Sequence, residues 1–385
     1  MLLSSLLTIA VAAAAPDPAA SAPEPIELPA AAPPDEPSLQ KSLQSMNPDV
    51  SFIFDGAIAG FSQDKPLQSG DHDPNKNGFN LQQLELSVSS AVDPFLRFDS
   101  NIVYHQEGVE IEEAYATTSS LPWDLQARAG QFLTRFGRLN PTHPHAWEFV
   151  DQPFIMSKFM GGEGNRGLGL EASWLTPLPW YGELVTSATE AQGEGTARSF
   201  FGAKDVGVQG PLDVVSTTAL KQFFPLGPDT SLAWGLSGAT GPNSTGNGNR
   251  SDILGTDLYL KFRPLSEGSV TVVSLTTEAL LRRRQTPGAV LVDYGGYATV
   301  FWRFAEQWAT AGRAEYGSGL KKDPLDPDWV SDRERFALDL SYWPTEFSRF
   351  RLQGSVDMPT WQPDNTYAVF LTMETVVGAH GAHAF

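Results

Sequence analysis

Along most of this chain apolar and polar side chains change places at every residue, and no chain can satisfy that pattern except as half-buried strands. From Asp49 onward about 16 such segments of roughly 10 residues follow one another, the length that a tilted membrane strand needs. Leu84, Leu86 and Val88 alternate with Gln83, Glu85 and Ser87, and Leu96, Phe98 and Ile102 with Arg97, Asp99 and Asn101. Leu254, Leu258, Leu260 and Phe262 face away from Asp257, Tyr259, Lys261 and Arg263; Phe336, Leu338, Leu340 and Tyr342 face away from Arg335, Asp339 and Ser341. In the last segment Tyr367, Val369, Leu371 and Met373 oppose Ala368, Thr372 and Glu374. One face suits lipid and the other suits water.

The connections separate a membrane barrel from a soluble sandwich. One class is short: Asp93-Pro94, 121–124, 176–180, 225–229, 264–268, 305–307 and 344–347. It takes turns with a second class, often long and rich in Gly, Asn and Asp: 62–78, 137–166, 191–212, 241–249, 318–330 and 358–365. Short periplasmic turns and long outer loops are the asymmetry of bacterial barrels. Phe95, Trp123, Trp174, Trp180, Tyr181, Phe223, Phe224, Phe304, Trp308, Trp343 and Phe347 crowd beside the short class, where amphipathic rings would mark a membrane interface. The expected fold is all-β, a transmembrane antiparallel barrel of about 16 strands.

Charged residues are 18% and hydrophobic ones 41%, which fits neither a disordered chain nor a helical membrane protein. The absence of cysteine removes disulfides, thiolate metal sites and cysteine nucleophiles. A net charge of −19 argues against a nucleic-acid partner. Residues 1–15 have the apolar core and small-residue end of a signal peptide without the usual basic residue in front, and 16–48 read as a flexible Pro- and Ala-rich periplasmic leader. The barrel is then 49–385.

Phe132-Leu-Thr-Arg-Phe-Gly-Arg-Leu-Asn-Pro-Thr-His-Pro-His-Ala-Trp-Glu-Phe-Val-Asp-Gln-Pro-Phe154, Gly161-Gly-Glu-Gly-Asn-Arg-Gly-Leu-Gly-Leu170 and Leu178-Pro-Trp-Tyr181 resemble a family of Gram-negative porin-like outer-membrane proteins. So do Asn77-Gly-Phe-Asn80, Val92-Asp-Pro-Phe95, Glu110-Ile-Glu-Glu-Ala-Tyr115 and the tail 378–383. Members are often labelled zinc-regulated TonB-dependent outer membrane receptors and are more distantly similar to phosphate-selective porins. A TonB-dependent receptor implies a plugged barrel of 22 strands, for which this length leaves no room. The resemblance therefore implies location and fold more than energised uptake. It also implies that the connection between the fifth and sixth strands, 137–166, folds into the lumen and narrows it.

That loop holds Arg138, His143, His145, Glu148, Asp151, Lys158 and Arg166 as constriction candidates, with Glu163 among them. His143, His145, Glu148 and Asp151 have ligand types suited to zinc, but Pro144 favours an extended segment that aims the two imidazoles apart. The other reading is a structured loop whose charges line a pore. Trp147, Phe149, Phe154 and Phe159 need burial, most simply against the inner wall. Arg97, Arg128, Arg263, Arg303, Arg313, Arg335, Arg349 and Arg351 fall on lumen-facing positions, as do Glu85, Asp99, Glu110, Glu112, Asp257, Asp339, Asp357 and Glu374. Opposed rows of charge would set up a transverse field; mutually paired ions would instead stiffen the wall. His72 and His105 sit near a rim outside any motif, and His380 and His383 lie in the tail.

No nucleophile elbow, P-loop or dinucleotide fingerprint is present, so neither catalysis nor a cofactor is expected. The pattern points to a passive channel for small polar or charged solutes in the outer membrane of a Gram-negative bacterium. Its expected partners are outer-membrane lipid and the barrel assembly machinery through the C-terminal strand, and the resemblance to porins implies two further copies in a homotrimer. A specific transporter for a metal ion such as zinc or its complex is the alternative, and a barrel with a blocked lumen is a third.

Overall fold

The computed structural model describes residues 48–105, 108–191, 198–200, 210, 213–266, 269–324 and 327–378. The signal peptide, residues 16–47 of the leader, most of the 191–212 connection and the tail histidines lie outside the described residues. The strands are β1 (Asp49–Phe61), β2 (Gly78–Ala91), β3 (Leu96–Tyr104), β4 (Val109–Thr118), β5 (Leu125–Leu133), β6 (Arg166–Leu175), β7 (Tyr181–Thr189) and β8 (Val215–Pro225). They continue as β9 (Thr230–Pro242), β10 (Arg250–Phe262), β11 (Val272–Thr286), β12 (Ala289–Ala305), β13 (Trp308–Gly317), β14 (Arg333–Thr345), β15 (Ser348–Pro359) and β16 (Thr366–Gly378). Each strand pairs antiparallel with its sequence neighbours, and β1 closes the cylinder on β16 with Ser51 opposite Gly378 and Phe61 opposite Ala368. Closure leaves no unpaired edge. The expected 16-stranded antiparallel barrel is the fold.

The strand number is even, so Asp49 and Gly378 lie at one end. The connections 92–95, 119–124, 176–180, 226–229, 263–271, 306–307 and 346–347 share that end. The opposite end carries 62–77, 134–165, 190–214, 243–249, 318–332 and 360–365, along with two short connections, 105–108 and 287–288. Length alone therefore does not assign every turn.

The two faces differ as the alternation demands. Along β14 the side chains of Arg333, Arg335, Ala337, Asp339 and Ser341 are buried inside, while Phe336, Leu338 and Leu340 are exposed outside. Leu338 is 71% exposed and Phe79 80%, an exterior that is stable in hydrocarbon and would aggregate in water. Two expected rim aromatics face the other way. Trp343 lies beneath the Arg303 guanidinium, and Tyr181 donates to Glu183, which also holds Arg135.

Period two slips where one strand carries an extra residue. Against β1 the slip falls between Asp55 and Gly56, so that Gln82 and Gln83 are both buried inside. Against β3 it falls between Asn101 and Ile102, which turns both Glu112 and Glu113 inward. A bulge does this by setting two residues against one.

Candidate functional site

The lumen is occupied by residues 134–165. Their base is tied by Asn140, whose Nδ2 donates to the carbonyls of Thr134 (2.8 Å) and Asn165 (3.0 Å) while its Oδ1 accepts from the Asn165 amide at 2.7 Å. Gly137, at φ +57°, makes the turn inward, where a Cβ would strike the Glu278 carboxylate. Glu278 accepts the Leu139 amide at 2.7 Å and the Arg138 amide at 3.2 Å. The loop is thus threaded onto β11 as soon as it leaves β5.

The middle of the loop runs along an arginine wall. Arg349 donates to the carbonyls of His145 (2.7 Å) and Trp147 (3.0 Å), Arg351 to that of Phe149 (2.9 Å), and Arg313 to that of Asp151 (2.8 Å). Alternate carbonyls of 145–151 therefore point at β13 and β15, as in an extended strand. Asp151 is fully buried between Arg313 (2.7 Å) and Arg335, and it also accepts from Gln353 at 2.8 Å. Burial alone would raise its carboxyl, but Arg335 and Arg313 hold it well below the carboxylate range.

The other flank meets an acid wall. His143 approaches Glu112 with Nδ1 (3.1 Å) and Glu113 with Nε2 (2.9 Å), and His145 approaches Glu85 at 3.0 Å. Burial works against the His143 proton, yet Glu112, Glu85 and Glu113 keep it well above the usual imidazole range. His143 and His145 are not splayed as their Pro spacer suggested. Pro144 begins a 3-10 turn, Pro144–Ala146, and the rings stack 5.7 Å apart at 11°.

Beyond the arginine wall comes α1 (Phe154–Met160), every residue of it buried; the Phe154 amide at its start donates to Glu315 at 2.7 Å. Ile155 sits against Gly295, where any Cβ would strike its side chain. Phe154, Ile155, Met156, Phe159 and Met160 form one apolar cluster with Phe136, Phe200, Val215, Ile253 and Leu280. Burying each large side chain contributes about 1.5–3 kcal/mol, enough to hold the loop in place. Residues 62–77 cover it: Ser69 Oγ lies 2.6 Å from Ser157 Oγ, and Asp73 accepts the Gln152 amide at 2.9 Å.

The sequence candidates therefore divide. Lys158 and Arg166 are spent on the wall. Lys158 is buried against Asp293 at 3.1 Å, and Arg166 is the first residue of β6, bound to Glu110. His143 is spent on Glu112 and Glu113. Asp151 borders a space of ≈ 550 Å³ with Arg138, Glu148 and Arg313, while Arg138, His145 and Glu148 border another. These three do so with Thr142, Tyr259, Arg303, Trp343, Arg349 and Glu374 around a space of ≈ 1070 Å³.

The wall charges are not opposed across water either. Arg313, Arg335, Arg349 and Arg351 hold the loop as well as Asp55, Glu315 and Glu374. Asp357 pairs with Arg333, Arg128 with Glu171, and Arg97 with Asp99, while Asp339 accepts from Ser341 and Asp257 lies 3.9 Å from Lys221. Arg263 lies just beyond the end of β10 and is exposed. Glu113, Gln82 and Asp73 escaped the sequence reading, and His72 was read only as a rim histidine; Glu113 and Gln82 needed a bulge to be foreseen.

No protein-family model matches the chain. Among solved structures, OprB of Pseudomonas putida superposes with a TM-score of 0.63 at 9% identity over 88% of this chain and 96% of that one. An anion-selective porin of Comamonas acidovorans gives 0.58 at 9% over 86% and 99%, and the outer membrane channel DcaP of Acinetobacter baumannii 0.58 at 11% over 86% and 97%. An uncharacterised protein of Aquifex aeolicus (strain VF5) is 31% identical over 391 residues, 89% of this chain and 81% of that protein. The chain belongs to the family of that Aquifex protein, and its fold is that of the outer-membrane porins.

Proposed function

We propose that this barrel lies in the outer membrane of a Gram-negative bacterium and lets small hydrophilic solutes diffuse through it, with the end carrying Asp49 and Gly378 in the periplasm. The observation that carries the reading is the open space beside the inward loop. A region of ≈ 550 Å³ against β11, β12 and β13 shares Arg138, Thr142, Ala146, Trp147 and Glu148 with the ≈ 1070 Å³ space bordered by β14, β15 and β16. A passage along that side is far narrower than an empty 16-stranded barrel would leave.

Its charges favour anionic solutes. Arg138 stacks on Tyr259 at 3.6 Å, Arg303 lies over Trp343, and Lys261 and Arg263 stand in their field, with Glu148 the nearest loop acid. A cationic vestibule concentrates anions and excludes cations. Assembly as a homotrimer and insertion through the C-terminal strand belong to the same proposal.

A second reading, a barrel shut by its own loop, is favoured by the apolar cluster around α1 that fills the lumen opposite the Asp49 end. A zinc transporter built on His143 and His145 is disfavoured, because wall carboxylates already hold both rings. The purified protein in a planar bilayer with a salt gradient decides. The channel reading expects discrete conductance steps and a reversal potential toward the anion side. A silent bilayer from correctly folded barrels favours the shut one.

A further inference from the structure

His72 lies in the 62–77 connection, 4% exposed, and among the described residues neither of its ring nitrogens has a hydrogen-bond partner. Its nearest carboxylate oxygen is on Glu163, 3.7 Å from Nε2 and beyond hydrogen-bond range. A buried imidazole with both nitrogens unused is costly unless something else binds it. One donor atom each from His72, Glu112 and Glu163 lie within 4.8 Å of one another. Three points so spaced have a centre no more than about 2.8 Å from each (4.8/√3). Imidazole and carboxylate donors bind Zn2+ at roughly 2.0–2.2 Å, so side-chain shifts below about 1 Å would close the shell.

The charge around that centre also asks for a cation. Asp71, Glu110, Glu112 and Glu163 supply four negative charges, Arg166 one positive, and His105 sits 3.7 Å from Glu110. With both of those imidazoles neutral and the His143 proton beside Glu112 counted, the sum is −4 + 2 = −2. A similar triad, Glu85, Glu112 and His143, differs in one respect: both His143 nitrogens already meet carboxylates, at 3.1 and 2.9 Å. The unused coordinating capacity is at His72.

We propose that His72, Glu112 and Glu163 bind one divalent d-block cation that takes mixed imidazole and carboxylate donors. The ion staples the 62–77 connection to β4 and to the inward loop. The site stands whether or not the barrel conducts.

The test uses the full chain, purified in detergent, stripped with chelator and carrying His380→Ala and His383→Ala to remove the tail histidines. Calorimetric titration with Zn2+ and absorption titration with Co2+ at pH 8 should each show one equivalent bound, with Mg2+ far weaker. His72→Ala and Glu163→Gln should each weaken binding by more than about tenfold, whereas His143→Ala should leave it in place. Heat-shifted migration in electrophoresis verifies that each variant is a folded barrel. Absence of a stoichiometric site, or a site lost with His143→Ala but kept with His72→Ala, would overturn the proposal.

Discussion

Arg313 of β13 holds Asp151 twice, donating through Nη2 to the side chain at 2.7 Å and through Nη1 to the backbone carbonyl at 2.8 Å. A charged group in the middle of the loop is thereby matched to the wall, and Arg335 completes the clamp. Breaking a buried pair from one side leaves an uncompensated charge and costs about 3–5 kcal/mol. Asp151→Asn should therefore free the loop while the barrel stays closed. Limited proteolysis would read it: rapid cleavage within 143–160 with intact heat-shifted migration is expected, and unchanged resistance would mean that the apolar cluster alone seats the loop.

Acid should not release it. Asp73, which takes the Gln152 amide, is pushed up to about 6 by burial and by Asp151, against Arg335. A carboxyl raised in the folded state stabilises fully below its unfolded value of about 3.9 and loses that contribution as pH rises through 6. Asp151 is held low, so it keeps its charge and its arginines well below pH 4. Between pH 7 and pH 4.5 the cap over the loop should tighten, read as slower amide exchange at 150–152. Faster exchange in acid would contradict the assignment.

The lipid face can be tested on neighbours. Leu338 points out and Asp339 in. Leu338→Arg near mid-strand should cost about 2–4 kcal/mol of folding free energy in urea titrations with lipid vesicles. Asp339→Asn, which keeps shape and loses a buried charge, should fold with a much smaller change. Equal losses would put the register, or the membrane, in the wrong place.

Much of this was readable because period two is rigid: a residue's parity fixes its face, so the polar lining and the apolar exterior follow from sequence wherever the ladder is regular. Parity could not say what a lumen-facing arginine meets. Arg349 and Arg351 sit on the wet side, yet their partners are carbonyls some 200 residues earlier in the chain, at positions 145, 147 and 149. Glu113 was hidden by the bulge that turns it inward beside Glu112, and His72 was legible only as a rim histidine, because the path of its connection is defined by the packed loop.

The absence of cysteine gives a clean assay of orientation. Pro287→Cys sits in the turn between β11 and β12, and Glu346→Cys in the turn between β14 and β15, at opposite ends. In intact cells a membrane-impermeant maleimide should modify position 287 and not 346. The reverse pattern would invert the barrel.

The central claim is that residues 134–165 narrow a conducting pore, and single-channel recording in planar bilayers tests it most directly. The intact protein should show small anion-favouring steps. A variant lacking residues 143–160 should conduct severalfold more, because the space along the arginine and acid walls opens to water while the neck at Asn140 and Asn165 remains. Steps of unchanged size from the shortened chain, with migration proving a closed barrel, would contradict the account and place the constriction elsewhere.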